Sequence, residues 1–201
     1  DGHDVLKAVL RADINNLQAT LDEVDQDNFD QAVDMILSAK HIYIIGMRTS
    51  TTLADFLAIY LKLLLDDVTV VKEIAAREVY EQLLRIGEGD LIIGISFPRY
   101  SMRTMKALEF ANSRKAKVIT ITDSVHSPMN VYAACTLIAK SDMASIVDSL
   151  VAPLSVINAL VVALCMKRQA DVKKTLESME KLWDEYQVYS NDEINGLDDA
   201  R

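Results

Sequence analysis

Cysteine occurs twice, proline three times and glycine six times in this chain of 201 residues, and each scarcity excludes something. The cysteines, Cys135 and Cys165, both lie inside apolar runs. They build no disulfide framework and point to a reducing compartment, so the protein is expected to be cytoplasmic. With so little Gly and Pro against 50% hydrophobic residues, a low-complexity or disordered chain is excluded. Positive charge is also short. Twenty-one Lys and Arg face 30 Asp and Glu for a net charge of −9, which argues against wrapping nucleic acid, a contact made chiefly by neutralising phosphates. The three histidines, His3, His41 and His126, have no mutual spacing that suggests a metal site. There is no G-x-G-x-x-G, no G-x-x-x-x-G-K-[ST] and no G-x-S-x-G, so nucleotide and nucleophile-elbow chemistry lack support and no cofactor is expected. No signal peptide precedes the first helix, and the missing Met at Asp1 suggests a processed or excised segment. One apolar run, residues 150–166, approaches membrane length. Pro153, Ser155 and Asn158 interrupt it, so it is read as a helix buried all round, in a core or between subunits, and no membrane contact is expected.

What remains is strict alternation. Short apolar, β-rich runs at 41–45, 68–71, 91–95, 117–121 and 135–139 are separated by helical patterns at 52–65, 75–86, 102–113 and 128–132. The run at 91–95 is apolar throughout and reads as a strand buried on both faces, and repeated β-α units imply a parallel sheet with right-handed crossovers. The expected fold is therefore α/β, a three-layer sandwich around a five-stranded parallel sheet, preceded by two helices. The first places Leu6, Val9, Leu10, Ile14, Leu17, Leu21 and Val24 on one stripe that must be covered by the domain or by a partner. The second is expected to start near Asp27 and Asp30. Residues 148–167 predict a long apolar helix. Residues 171–186 predict an amphipathic one whose Met and aromatic residues serve as core or subunit contact. Residues 1–40 are taken as packing helices, 41–187 as the domain, and 188–201 as an acidic, unpatterned tail expected to fray.

Two strand-to-helix turns carry the chemistry. After the third strand comes Ser96-Phe97-Pro98-Arg99-Tyr100-Ser101, and after the first Gly46-Met47-Arg48-Thr49-Ser50-Thr51-Thr52. A hydroxyl-rich, cation-bearing turn between a strand end and a helix N-terminus suits a phosphate group, whose oxygens need several converging donors. The candidate ligand residues are Arg48, Thr49, Ser50, Ser96, Arg99, Ser101 and Thr104, with no catalytic or metal residue assigned. Ser101 serves equally as a helix cap, and Thr104 has a structural alternative. Asp123 and Ser124, after the fourth strand, read as a turn.

These motifs resemble the SIS (sugar isomerase) domain, whose G-x-G-x-S stands here as Gly46 to Ser50 and whose S-x-S-G-x-[ST] stands as Ser96 to Ser101. Arg48, Pro98 and Arg99 replace small residues of that pattern. The version SFPRYS, followed by ITDS at Ile121–Ser124, by Ser127-Pro128, and preceded by Asn16-Leu17 and Thr20-Leu21, is similar to RpiR-type transcriptional regulators. The resemblance implies a phosphosugar-binding effector domain that self-associates as a dimer or tetramer. DNA would be read only through a helix-turn-helix domain outside this chain. The competing implication is a stand-alone phosphosugar isomerase, which needs a general base. The helix at 171–186 has no His, and Asp148 is the one carboxylate at the acidic position. A third alternative is a dimerisation module whose pocket is vestigial.

Overall fold

The computed structural model describes residues 4–72, 75–143 and 145–186. The expected tail at 188–201 lies outside them. Chain order gives α1 (Val5–Asp22), α2 (Gln26–Ser38), β1 (Ile42–Gly46), α3 (Ser50–Leu64), β2 (Val68–Val71), α4 (Ala76–Gln82), β3 (Leu91–Ile95), α5 (Met102–Ser113), β4 (Lys117–Thr122), a 3-10 turn (Pro128–Tyr132), β5 (Cys135–Ile138), α6 (Val151–Lys167) and α7 (Gln169–Glu185). The five strands form one parallel sheet in the order β2-β1-β3-β4-β5.

Strand periodicity divides the core in two. Ile42, Ile44, Leu91, Ile93, Ile95, Ile119 and Ile121 face a layer containing Ile36, Leu57, Leu61, Ile157 and Leu160. The intervening Tyr43, Ile45, Ile92 and Val118 face Val79, Leu83, Ala107 and Leu108 on the opposite side. Side chains alternate across a strand, so β1 and β3 are buried at every position because both faces are covered. Gly94 fits this packing: a Cβ there would stand 2.8 Å from a Leu108 methyl, so α5 lies close against β3.

Several expected boundaries move. The cap of α2 is Asp25, whose carboxylate accepts the Asn28 N–H at 3.0 Å, two residues before the expected start. The helix expected over 75–86 ends at Gln82. The helix expected from 148 begins at Val151 and is not buried all round within this chain, since Val162 and Met166 are exposed on one side of it. α7 buries no residue, and Leu176, Leu182 and Tyr186 face solvent, so it is not core within this chain. Among the described residues no single helix is long and apolar enough to cross a membrane.

The stripe of α1 is the largest departure. Leu6, Leu10, Ile14 and Leu21 are exposed, while Asn16 and Thr20 are the buried residues of this helix. Polar groups do the docking. Asn16 donates to the Asp142 carbonyl at 2.9 Å and accepts the Asp142 N–H at 3.1 Å. The Thr20 hydroxyl accepts the Lys140 N–H at 2.9 Å, and Ser149 donates to Asp13 at 2.6 Å. These bonds fasten α1 to the segment between β5 and α6.

Candidate functional site

In the order 2-1-3-4-5 the chain leaves β1 toward β2 on one side and returns to β3 on the other. The adjacent carboxyl ends of β1 and β3 therefore form the topological switch point, where open α/β sheets hold ligands. The register pairs Ile45 with Gly94 and Gly46 with Ile95, so the two turns leave the same sheet edge from neighbouring strands. Neighbouring strands lie about 4.8 Å apart. The seven residues singled out in the sequence all belong to these two turns or to the helices that start in them.

The β1 turn is built on Gly46. A Cβ there would lie 2.5 Å from the Ser50 carbonyl oxygen, so only glycine lets the chain fold back this tightly. Thr51 closes the turn by donating its hydroxyl to the Gly46 carbonyl at 2.9 Å. The N–H groups of Ser50, Thr51 and Thr52 bond to the carbonyls of Met47, Arg48 and Thr49, which extends α3 backwards and spends those donors. Arg48 at φ 53°, followed by Thr49 at φ −64°, gives successive left- and right-handed residues. That alternation is the backbone pattern of a nest, whose N–H groups here are those of Arg48, Thr49 and the already bonded Ser50.

In the β3 turn a ladder of hydroxyls fixes the geometry. Ser96 Oγ accepts the Ser101 N–H at 3.0 Å, and Ser101 Oγ accepts the Thr104 N–H at 3.2 Å. Ser101 is thus the N-cap of α5. Both serine oxygens act as acceptors here, which leaves each O–H proton to donate. Thr104 is fully buried and its Oγ1 has no hydrogen-bond partner among the described residues. Ser50 and Ser96 are nearly buried at 6% and 4% exposure, and Arg48, Thr49 and Arg99 are exposed. Among the described residues neither guanidinium makes an ion pair.

Two contacts join these turns to more distant parts of the chain. Asp148 lies 99 positions from Thr49, yet Thr49 donates to its carboxylate at 2.6 Å. This places a negative charge beside the β1 turn. Tyr100 donates to Asp123 at 2.6 Å, tying the β3 turn to the end of β4. Burial, and then the bond to the Asp123 carboxylate, push the Tyr100 phenol above its ordinary value. Ser124 accepts the His126 N–H at 3.1 Å, so the Asp123-Ser124 pair does structural work. Two hollows lie elsewhere, one of about 550 Å³ between α3 and the β2 edge and one of about 180 Å³ between α5 and the 3-10 turn.

Comparison with known proteins places these features. The family model of the SIS domain matches residues 35–163. An uncharacterised HTH-type transcriptional regulator of Clostridium perfringens is 26% identical over 121 residues, which are 60% of this chain and 43% of that protein. The chain therefore spans less than half the length of that relative. The sugar isomerase domain of an RpiR transcription factor from Sphaerobacter thermophilus superposes with a TM-score of 0.84 at 28% identity, covering 89% of this chain and 99% of that one. NanR of Vibrio vulnificus, solved with ManNAc-6P, gives a TM-score of 0.79 at 19% identity over 94% of this chain and 71% of its own. The fold is shared with enzymes as well, as in phosphoheptose isomerase from Neisseria gonorrhoeae, with a TM-score of 0.69 at 15% identity over 82% of this chain and 99% of that one. A family match across well over half of the chain, on a five-stranded parallel sheet whose β1 and β3 turns carry the family's two motifs, shows that this chain belongs to the SIS domain family.

Proposed function

We propose that this chain is the ligand-sensing and self-associating part of an RpiR-type transcriptional regulator, working in the cytoplasm, with DNA contacted by a helix-turn-helix domain outside it. The observation that carries the proposal is the meeting of the Ser50 turn and the Ser96–Ser101 turn at the switch point. The likeness to a regulator's sugar isomerase domain along nearly that domain's whole length supports it. A phosphosugar would place its phosphate among the Ser50, Ser96 and Ser101 hydroxyls and the nest at Arg48-Thr49, with Arg48 and Arg99 supplying charge. Thr104 lends its N–H to the Ser101 cap and so holds that hydroxyl in place. Asp148 repels a phosphate, so its part is to accept a sugar hydroxyl after releasing Thr49. Sensing requires that ligand favour one arrangement of subunits, and a 5–150-fold preference corresponds to about 1–3 kcal/mol.

Thermal-shift screening against phosphosugars tests this. A ligand at 100 times its Kd adds about 2.7 kcal/mol, or about 5–10 °C for a chain of this size. The combined Ser96→Ala and Ser101→Ala variant should lose that shift, and Asp148→Asn should weaken sugar phosphates while tightening inorganic phosphate. No shift with any phosphosugar, or a shift indifferent to both serines, would overturn the site. Sensor and catalyst separate on one further measurement. A bound phosphosugar incubated with the chain should come back unisomerised, and appearance of its isomer would make this an enzyme.

A further inference from the structure

We propose that the Thr49–Asp148 bond at the β1 turn and the Ser149–Asp13 bond at α1 act as one latch, which a phosphate group in the site opens, freeing the half of α1 ahead of Asn16. The part played by phosphate rests on the phosphosugar reading above; the latch itself does not.

Three sets of side-chain bonds dock α1 among the described residues, and they differ along its length. The C-terminal end is clamped on Lys140. The Lys140 N–H donates to Thr20 Oγ1 at 2.9 Å, and its ammonium pairs at 3.0 Å with Glu23, which caps the helix. In the middle, Asn16 makes two bonds to the Asp142 backbone. Toward the N-terminus there is one bond, from the Ser149 hydroxyl to Asp13 at 2.6 Å. Residues 4–11, ahead of it, are all exposed. A helix end with so little burial opens at a small free energy, so this one contact decides how firmly that half is held.

The same contact is the one joined to the site. Ser149 follows Asp148, whose carboxylate accepts the Thr49 hydroxyl at 2.6 Å. Two consecutive residues thus carry one bond to the β1 turn and one to α1, and the peptide between them fixes their separation. A displacement of Asp148 therefore moves Ser149 off Asp13. A phosphate arriving at Arg48-Thr49 acts on Asp148 twice. It competes for the Thr49 hydroxyl, and its charge repels the carboxylate. The clamp at the other end has a separate anchor, because the Lys140 ammonium also donates to the Asp123 carbonyl at 3.3 Å, at the end of β4. It stays closed when the latch opens. Release is confined to the N-terminal half of the helix, and any domain carried there would move with it.

Amide exchange in the full 201-residue chain tests the latch. Thr49 bonds to Asp148 and not to α1, yet Thr49→Val should speed exchange over residues 9–15 by about two- to tenfold, the range of one hydrogen bond. Asp148→Ala, which breaks the bond from its other side, and Ser149→Ala should each match it. The two bonds act in series, so Thr49→Val combined with Ser149→Ala should exchange no faster than Ser149→Ala alone. Unchanged exchange in Thr49→Val or Asp148→Ala, losses that add in the double variant, or loosening that extends through Thr20 would each overturn the proposal. Inorganic phosphate supplies the second arm. At saturation it should reproduce the exchange of Thr49→Val. Coupling is reciprocal, so Ser149→Ala should bind phosphate about two- to tenfold more tightly by equilibrium dialysis. Phosphate that binds without loosening α1 would overturn the latch. Absence of phosphate binding would overturn the site alone, since the variants read the latch without ligand.

Discussion

Two glycines show how the same missing side chain serves two purposes. At Gly46 a Cβ would meet the Ser50 carbonyl carbon and oxygen at 2.8 and 2.5 Å, both backbone atoms that cannot move without unwinding the turn. At Gly94 it would meet methyl groups of Leu108 at 2.8 and 2.9 Å, the end of a side chain that can change rotamer. Overpacking costs about 1–3 kcal/mol. Gly46→Ala is expected at or above the top of that range and Gly94→Ala near its bottom, as measured by chemical denaturation. Equal losses would show that the turn yields as readily as the side chain. Tyr100 offers a second test at this scale. Tyr100→Phe removes its bond to Asp123 and should cost about 1 kcal/mol. The folded phenol titrates above the ordinary 10.0, so the stabilisation is complete below that pH and is lost as pH rises through the folded value. The gap between wild type and variant should therefore narrow in alkali; a constant gap rules the bond out as its source.

At the scale of elements, polar groups cap one N-terminal helix and dock the other. In α2 the Asn28 N–H, and then its side-chain amide, hold the Asp25 carboxyl below its ordinary 3.8. That contribution is present above pH 3.8 and disappears as pH falls through the lowered folded value. Wild type and Asp25→Ala should thus converge in stability on acidification, and parallel acid curves would contradict the cap. In α1, Asn16→Ala removes both bonds to the Asp142 backbone, a loss of about 1–3 kcal/mol at about 0.5–1.5 kcal/mol each. The loss should be read by denaturation and accompanied by faster amide exchange along α1; unchanged exchange would mean that apolar contacts hold this helix. Such details divide what was legible in the sequence from what was not. The strands were legible because burial on both faces leaves an uninterrupted apolar run, as in Leu91–Ile95. The turns were legible because a strand must end in them. The docking of α1 was not, because its apolar periodicity pointed to a face the body does not cover, while Asn16 finds its partner 126 positions away. Asp148 was singled out only through the resemblance, and its bond to Thr49 was hidden from any local pattern by the 99 positions between them.

At the scale of the molecule, the two turns are expected to act as one site. Phosphosugar binding should slow amide exchange at Arg48 and Thr49 and at Arg99 and Tyr100 together; protection confined to one turn would break the shared pocket. Both depend on a single pairing, that of β1 with β3, and it makes a demand during synthesis. The ribosome delivers β1 first and its two neighbours later, β2 before β3. Roughly fifty residues separate Ile42 from its partner Leu91, so at about 5–20 residues per second β1 waits about 2.5–10 s for β3 to exist. During that interval one of the most apolar segments of the nascent chain lacks its second hydrogen-bonded neighbour, and it is then that a chaperone would have the most to hold.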